Sequence, residues 1–227
     1  ALLLAVVAVA QNQCNLPIEV GTISDTFTYH ENHAISSSTP NSTWYCSGVT
    51  AQKQSQPAVY FRFTVAKTML AEINTCYAQS EIPTRVVVTT SCADGLASSC
   101  VATSDGDTEH TCNGDKSRVV FSAQAGQTYT AIVMSSSPSL LGSFIVNIGH
   151  YVNPSDGKCS NAYHLFPGMV IDGWFDSSVE WNYLYQKPKH RTAWFEFTAT
   201  QTTHVIDTCN KNTHAPTTIM LFKSVDT

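Results

Sequence analysis

The segment VYFRFTVAKTMLAEINTC, Val59 to Cys76, returns in diverged form as AWFEFTATQTTHVIDTC, Ala193 to Cys209. An internal repeat constrains a chain more than its composition does, because each copy has to bury the same face in the same way. Tyr60 aligns with Trp194, Phe61 with Phe195, Arg62 with Glu196, Phe63 with Phe197 and Thr64 with Thr198. Ile73, Thr75 and Cys76 then fall on Ile206, Thr208 and Cys209. Upstream, Cys14 and Gly21 match Cys159 and Gly168, and downstream Arg85 to Thr89 matches Thr218 to Phe222. The expected organisation is an apolar amino-terminal segment (1–13), a first repeat (14–149), a linker (150–158) and a second repeat (159–227). The linker contains Asn153-Pro154-Ser155-Asp156-Gly157, which is turn chemistry.

Strand signals fill the first copy. Val59, Phe61, Phe63 and Val65 alternate with Tyr60, Arg62 and Thr64, the two-residue period of a half-buried strand. Further short runs are Leu70 to Ile73, Arg85 to Thr89, Arg118 to Phe121, Tyr129 to Met134 and Ser143 to Ile148, separated by Gly, Pro, Ser and Asp clusters. The spacing predicts an all-β protein of tandem antiparallel β-sandwich domains, jelly-roll-like or Ig-like. The second copy reaches Thr227 where the first would go on to Cys92, an acidic loop and three more strands. The second sandwich is therefore expected to be incomplete, either as a fragment or as a fold finished by another chain.

Three features place the chain outside the cell. The opening ALLLAVVAVA is apolar and ends in Ala-Val-Ala before Gln11, the pattern of a signal-peptide core and cleavage site; the competing expectation is a buried donor strand. Eight cysteines, with no Cys-x-x-Cys spacing, favour disulfides over metal thiolates. Asn41-Ser42-Thr43 is an N-glycosylation acceptor within a run that reads as an exposed loop. Charged residues make up only 13% of the chain and the net charge is -5, so no basic surface invites nucleic acid or an anionic membrane.

The order VYFRFT, INTC, TRVVV, FSAQAGQTYTAIVM and GSFIVNIG is similar to the pre-peptidase C-terminal (PPC) type of secreted β-sandwich, in its cysteine-bearing versions. The resemblance covers Cys14 to Gly149 and then Cys159 onward. It implies a jelly-roll-like, non-catalytic extracellular module, used in tandem for adhesion, carbohydrate contact or spacing. The calcium-binding acidic positions of some members have no residue-for-residue match here.

The repeat narrows the disulfide choices. Cys14 with Cys76 and Cys159 with Cys209 would be a bridge common to both copies, leaving Cys92 with Cys100 and Cys46 with Cys112. A rival set pairs Cys14 with Cys46 and Cys76 with Cys112, and strands Cys159 and Cys209. Both remain open, because geometry decides bridging.

No enzymatic constellation is visible. His30-Glu31-Asn32-His33 places its histidines three apart rather than four and reads as a solvated loop, not a zinc motif on a helix. No Gly-x-Ser-x-Gly elbow occurs. Asp105, Asp107 and Glu109 could offer hard oxygens to Ca²⁺, although the ligand pattern is missing and a solvated hairpin loop pinned by Cys112 accounts for them better; no other cofactor is implied. Within Gly173 to His190, Trp181, Tyr183 and Tyr185 would line one face of an extended strand. Such an aromatic strip suits core packing, a protein interface or a glycan platform.

Two function classes follow. One is a non-enzymatic extracellular structural or adhesive protein, a tandem sandwich subunit of a stalk or fibre that self-associates head to tail by strand complementation. The other is a carbohydrate-binding or accessory module of a larger secreted enzyme.

Overall fold

The computed structural model describes residues 14–42, 55–91, 99–104, 116–152, 162–169, 193–209 and 217–223. Several expectations lie outside these residues: the apolar segment 1–13, Cys46, Cys92, Cys112 and Cys159, the acidic Asp105, Asp107 and Glu109, and the aromatic Trp181, Tyr183 and Tyr185. The chain divides into two compact units, residues 1–196 and 197–227.

The first unit contains a two-layer sandwich. One layer is built from β1 (Ile18–Ile23), β4 (Gln56–Val65), β9 (Thr128–Ser135), β6 (Thr84–Thr89) and β7 (Cys100–Ser104), in that spatial order, with β3 (Asn41–Ser42) paired to the start of β4. The other is β2 (Tyr29–Ile35), β10 (Gly142–His150), β5 (Met69–Asn74) and β8 (Arg118–Ala123). A two-stranded piece, β11 (Tyr163–His164) with β12 (Phe195–Glu196), completes the unit. No α-helix occurs among the described residues, and none of them forms a helix long and apolar enough to cross a membrane.

The core follows from the alternation in the sequence. Val59, Phe61, Phe63 and Val65 of β4, with Val86 and Val88 of β6 and Ala131 and Val133 of β9, face Ala71 and Ile73 of β5, Phe121 of β8 and Phe144, Val146 and Ile148 of β10. Side chains two apart on a pleated strand share a face, so each strand contributes one apolar row to the interlayer space. The opposite face of the first layer is also covered, since Ala58, Tyr60, Val87, Ile132 and Met134 form a second buried cluster with Cys14. Gln124 to Gln127 turns the chain from the second layer to the first, with Gly126 at φ 72 and its amide bonded to the Val65 carbonyl at 2.9 Å.

Three expectations change. The His30 to His33 stretch is not a loop but the edge strand β2, because its alternate residues Tyr29, His33 and Ile35 point inward, Tyr29 and His33 packing on Phe61 and Ile35 joining the core. The sheet is not wholly antiparallel: β1 runs parallel to β4, since the chain crosses to the other layer through β2 before returning. Asn41 is exposed, as expected, but lies in β3 opposite Pro57 rather than in a loop.

The second unit spans residues 197–227. Among its described residues no strand is paired, and Val205, Ile206, Ile219, Met220, Leu221 and Phe222 are exposed, Leu221 by 73%. Their counterparts by the repeat include Ile73, Val86 and Val88, all wholly buried. Within this unit the Thr208 and Thr217 hydroxyls are hydrogen-bonded, nine residues apart, as the Thr75 and Thr84 hydroxyls are in the first copy. Cys209 is exposed and free; Cys159, its expected partner, lies outside the described residues.

Candidate functional site

The outward face of the second layer should carry solvated side chains, and Leu70 and Val120 are indeed exposed, yet part of the face is buried. The paired registers set His30 opposite Asn147, Asn147 opposite Asn74 and Asn74 opposite Arg118. A single polar row thus crosses all four strands, with neighbouring Cβ atoms about 5 Å apart. Glu72 lies one pleat further along β5, opposite Gly149. Glu72, Asn74 and Asn147 are buried, Asn74 completely.

The opening of the second copy contacts this face at Glu72 and His30. Its β11 pairs in parallel with β12, Tyr163 opposite Phe195, the same register in which Ile18 meets Phe61 in the first copy. The amides of Tyr163 and Leu165 bond to the carbonyls of Trp194 and Glu196 at 2.9 and 2.7 Å. Beyond β11 the chain turns at Gly168, φ 75, whose carbonyl accepts from the Ala78 amide at 2.9 Å, and Met169 bridges to Tyr77.

The buried charges are matched to this cover. Glu72 Oε1 accepts from Arg118 Nε, and Glu72 Oε2 accepts from the Tyr163 hydroxyl. The Arg118 guanidinium stands 5.4 Å from the Tyr151 ring centre and 5.9 Å from that of Tyr163, within cation–π range. Burial works most strongly against the charge of Arg118, but the Glu72 carboxylate together with the Tyr163 and Tyr151 hydroxyls outweighs it, and the guanidinium pKa is raised. Tyr163 and Tyr77 are both pushed up, first by burial and then by the carboxylate of Glu72, so both phenols stay neutral.

At the other end of the row, His30 stacks on Phe166 with ring centres 4.4 Å apart and planes 6° from parallel, and lies 4.9 Å from Tyr77. Its pKa is lowered, by burial first and by His164 second. Five buried atoms here have no hydrogen-bond partner among the described residues: His30 Nδ1, Asn74 Nδ2 and Oδ1, Asn147 Oδ1 and the Tyr77 hydroxyl. Each such atom left unsatisfied costs about 1–3 kcal/mol. Five together would rival the roughly 5–15 kcal/mol that holds a whole domain.

Chemically the arrangement binds and fixes. Its charges neutralise each other and its phenols are held protonated. Among the described residues no three His, Cys, Asp or Glu side chains converge as metal ligands. Of the residues singled out from sequence, Cys14, Cys76 and Cys100 are engaged rather than titrating thiols. Cys14 sits on the outer face of the first layer, and Cys76 follows β5 in the second with Sγ 3.8 Å from the Ser117 carbonyl. Of the described candidates only His30, weighed as part of a zinc motif, falls within the polar row. Sequence reading passed over Glu72, Asn74, Arg118, Asn147 and Tyr163; the available signal was a glutamate inside the otherwise apolar strand MLAEIN.

No protein-family model matches the sequence, and no curated protein does. Among solved structures the chain is similar to the pre-peptidase C-terminal domain of a collagenase from Bacillus anthracis, at 12% identity and TM-score 0.34, over 59% of this chain and 92% of that one. It is also similar to a surface-associated copper-binding protein of Methylomicrobium album BG8, at 10% identity and TM-score 0.36, over 58% and 98%. A third likeness is to the CUB1-EGF-CUB2 domains of rat MASP-1, at 15% identity and TM-score 0.28, over 67% and 51%.

Proposed function

We propose that this chain is a non-enzymatic structural or adhesive protein of the cell exterior, a tandem β-sandwich in which each repeat is seated on the one before it. The observation that carries the reading is the opening strand pair: the second copy repeats the first copy's parallel register and buries itself on the first sandwich through Glu72, Arg118 and Tyr163. A chain built to transform a substrate would leave such polar groups accessible; here they are spent on joining.

Export is supported by the low charge, the engaged cysteines, which suit disulfides in an oxidising compartment, and the exposed Asn41 of the glycosylation acceptor. Self-association is supported by the apolar side chains of the second copy, which are exposed where their first-copy counterparts are core. Strand addition from a neighbouring copy would cover them, and a head-to-tail contact of that kind propagates into a filament. Sedimentation velocity across a wide concentration range tests this: a series of species growing with concentration is expected, and a monomer throughout would leave only the accessory-module reading. In that reading Trp181, Tyr183 and Tyr185 would form a glycan platform, and their alanine variants would lose binding on a glycan array.

A further inference from the structure

We propose that the polar row beneath the second copy's opening segment is a built hydration site, in which ordered water molecules bridge Asn74, Asn147, Tyr77 and His30. The five atoms concerned lie on three adjacent strands and on Tyr77, which follows β5. Asn74 and Asn147 face each other across β5 and β10, His30 faces Asn147 across β2 and β10, and Tyr77 stands 4.9 Å, ring centre to ring centre, from His30. Together they present both donors and acceptors: the Asn74 amide gives and takes, Asn147 Oδ1 takes, and the hydroxyl and the imidazole do either.

A reciprocal bond between the two amides would satisfy both Asn74 atoms and Asn147 Oδ1, and would still leave His30 Nδ1 and the Tyr77 hydroxyl unmet. Water makes about three hydrogen bonds when buried, so two molecules account for all five atoms. Charge does not compete for the site, because Glu72 and Arg118 are already committed to each other and to Tyr163. The mixed, neutral donor set suits water better than an ion. Phe166, stacked on His30, and Tyr163, bonded to Glu72, form the lid, and its apolar rings give the bridging molecules long residence times.

The test uses the full chain. A high-resolution crystal structure is expected to show solvent within hydrogen-bond distance of both asparagines and of the Tyr77 hydroxyl. Oxygen-17 magnetic relaxation dispersion is expected to report long-lived waters that diminish in Asn74→Leu. Should that variant fail to fold, Tyr77→Phe decides. A hydroxyl bonded to water makes the variant measurably less stable than the parent, whereas a hydroxyl with no partner makes it neutral or more stable. Asparagines bonded only to protein atoms, or a neutral Tyr77→Phe with unchanged dispersion, would overturn the site.

Discussion

At the scale of single residues, the arrangement turns on one carboxylate. Glu72 is buried on the outward face of its strand and accepts from two donors that come from opposite directions, Arg118 on the neighbouring strand and Tyr163 from the second copy. Removing one member of such a pair strands a buried charge, at about 3–5 kcal/mol, whereas replacing both by apolar groups of similar size is often neutral. Arg118→Met is therefore expected to lower the unfolding free energy by about that amount, and Glu72→Leu with Arg118→Met to recover most of it, both read by urea titration. Two single losses that merely add would show that the pair is not coupled.

At the scale of elements, β2 carries the pH response. His30 and His33 sit on its two faces, and both pKa values are lowered from 6.5, His30 by burial and then His164, His33 by burial with Glu31 partly opposing. The Tyr29 hydroxyl lies 2.9 Å from His33 Nε2 and donates to Glu31 at 3.1 Å. As pH falls through about 6.5 the unfolded chain takes up these protons before the folded one does. Stability is thus full above about pH 7 and lost progressively as the solution acidifies. The melting temperature is expected to fall between pH 7 and 5, and to fall less in His30→Gln and His33→Gln; equal slopes in parent and variants would exclude both histidines. The same strand marks the limit of legibility. Strands β4, β5, β8 and β10 were readable because apolar residues alternate along them, Val59 to Val65 most plainly, and β6 and β9 as short continuous apolar runs buried on both faces. The polar HENH stretch hid β2, whose inward side is filled by Tyr29 and His33 rather than aliphatics. The parallel pairing of β1 depends on a crossover that no local pattern records. The polar row was hidden for a related reason: Tyr163 meets Glu72 across 91 residues, and an outward-facing Glu, Asn or Arg reads as solvated until something covers it.

At the scale of the whole molecule, the repeat does two things at once. It reproduces small geometries, the strand register at Tyr163 and Phe195 and the threonine pair at Thr208 and Thr217, so the second copy follows the local chemistry of the first. It does not reproduce the buried charge: Val205 stands where the first copy has Glu72, and Asp207 where it has Asn74. The Glu72 seat is thus particular to the first copy. The most direct measurement of the central claim is hydrogen exchange at the Tyr163 and Leu165 amides in the intact chain. If the opening segment is seated on the first sandwich, both exchange far more slowly than in an unstructured peptide, and Tyr163→Phe speeds them together. Exchange at unprotected peptide rates in the parent protein would contradict the account.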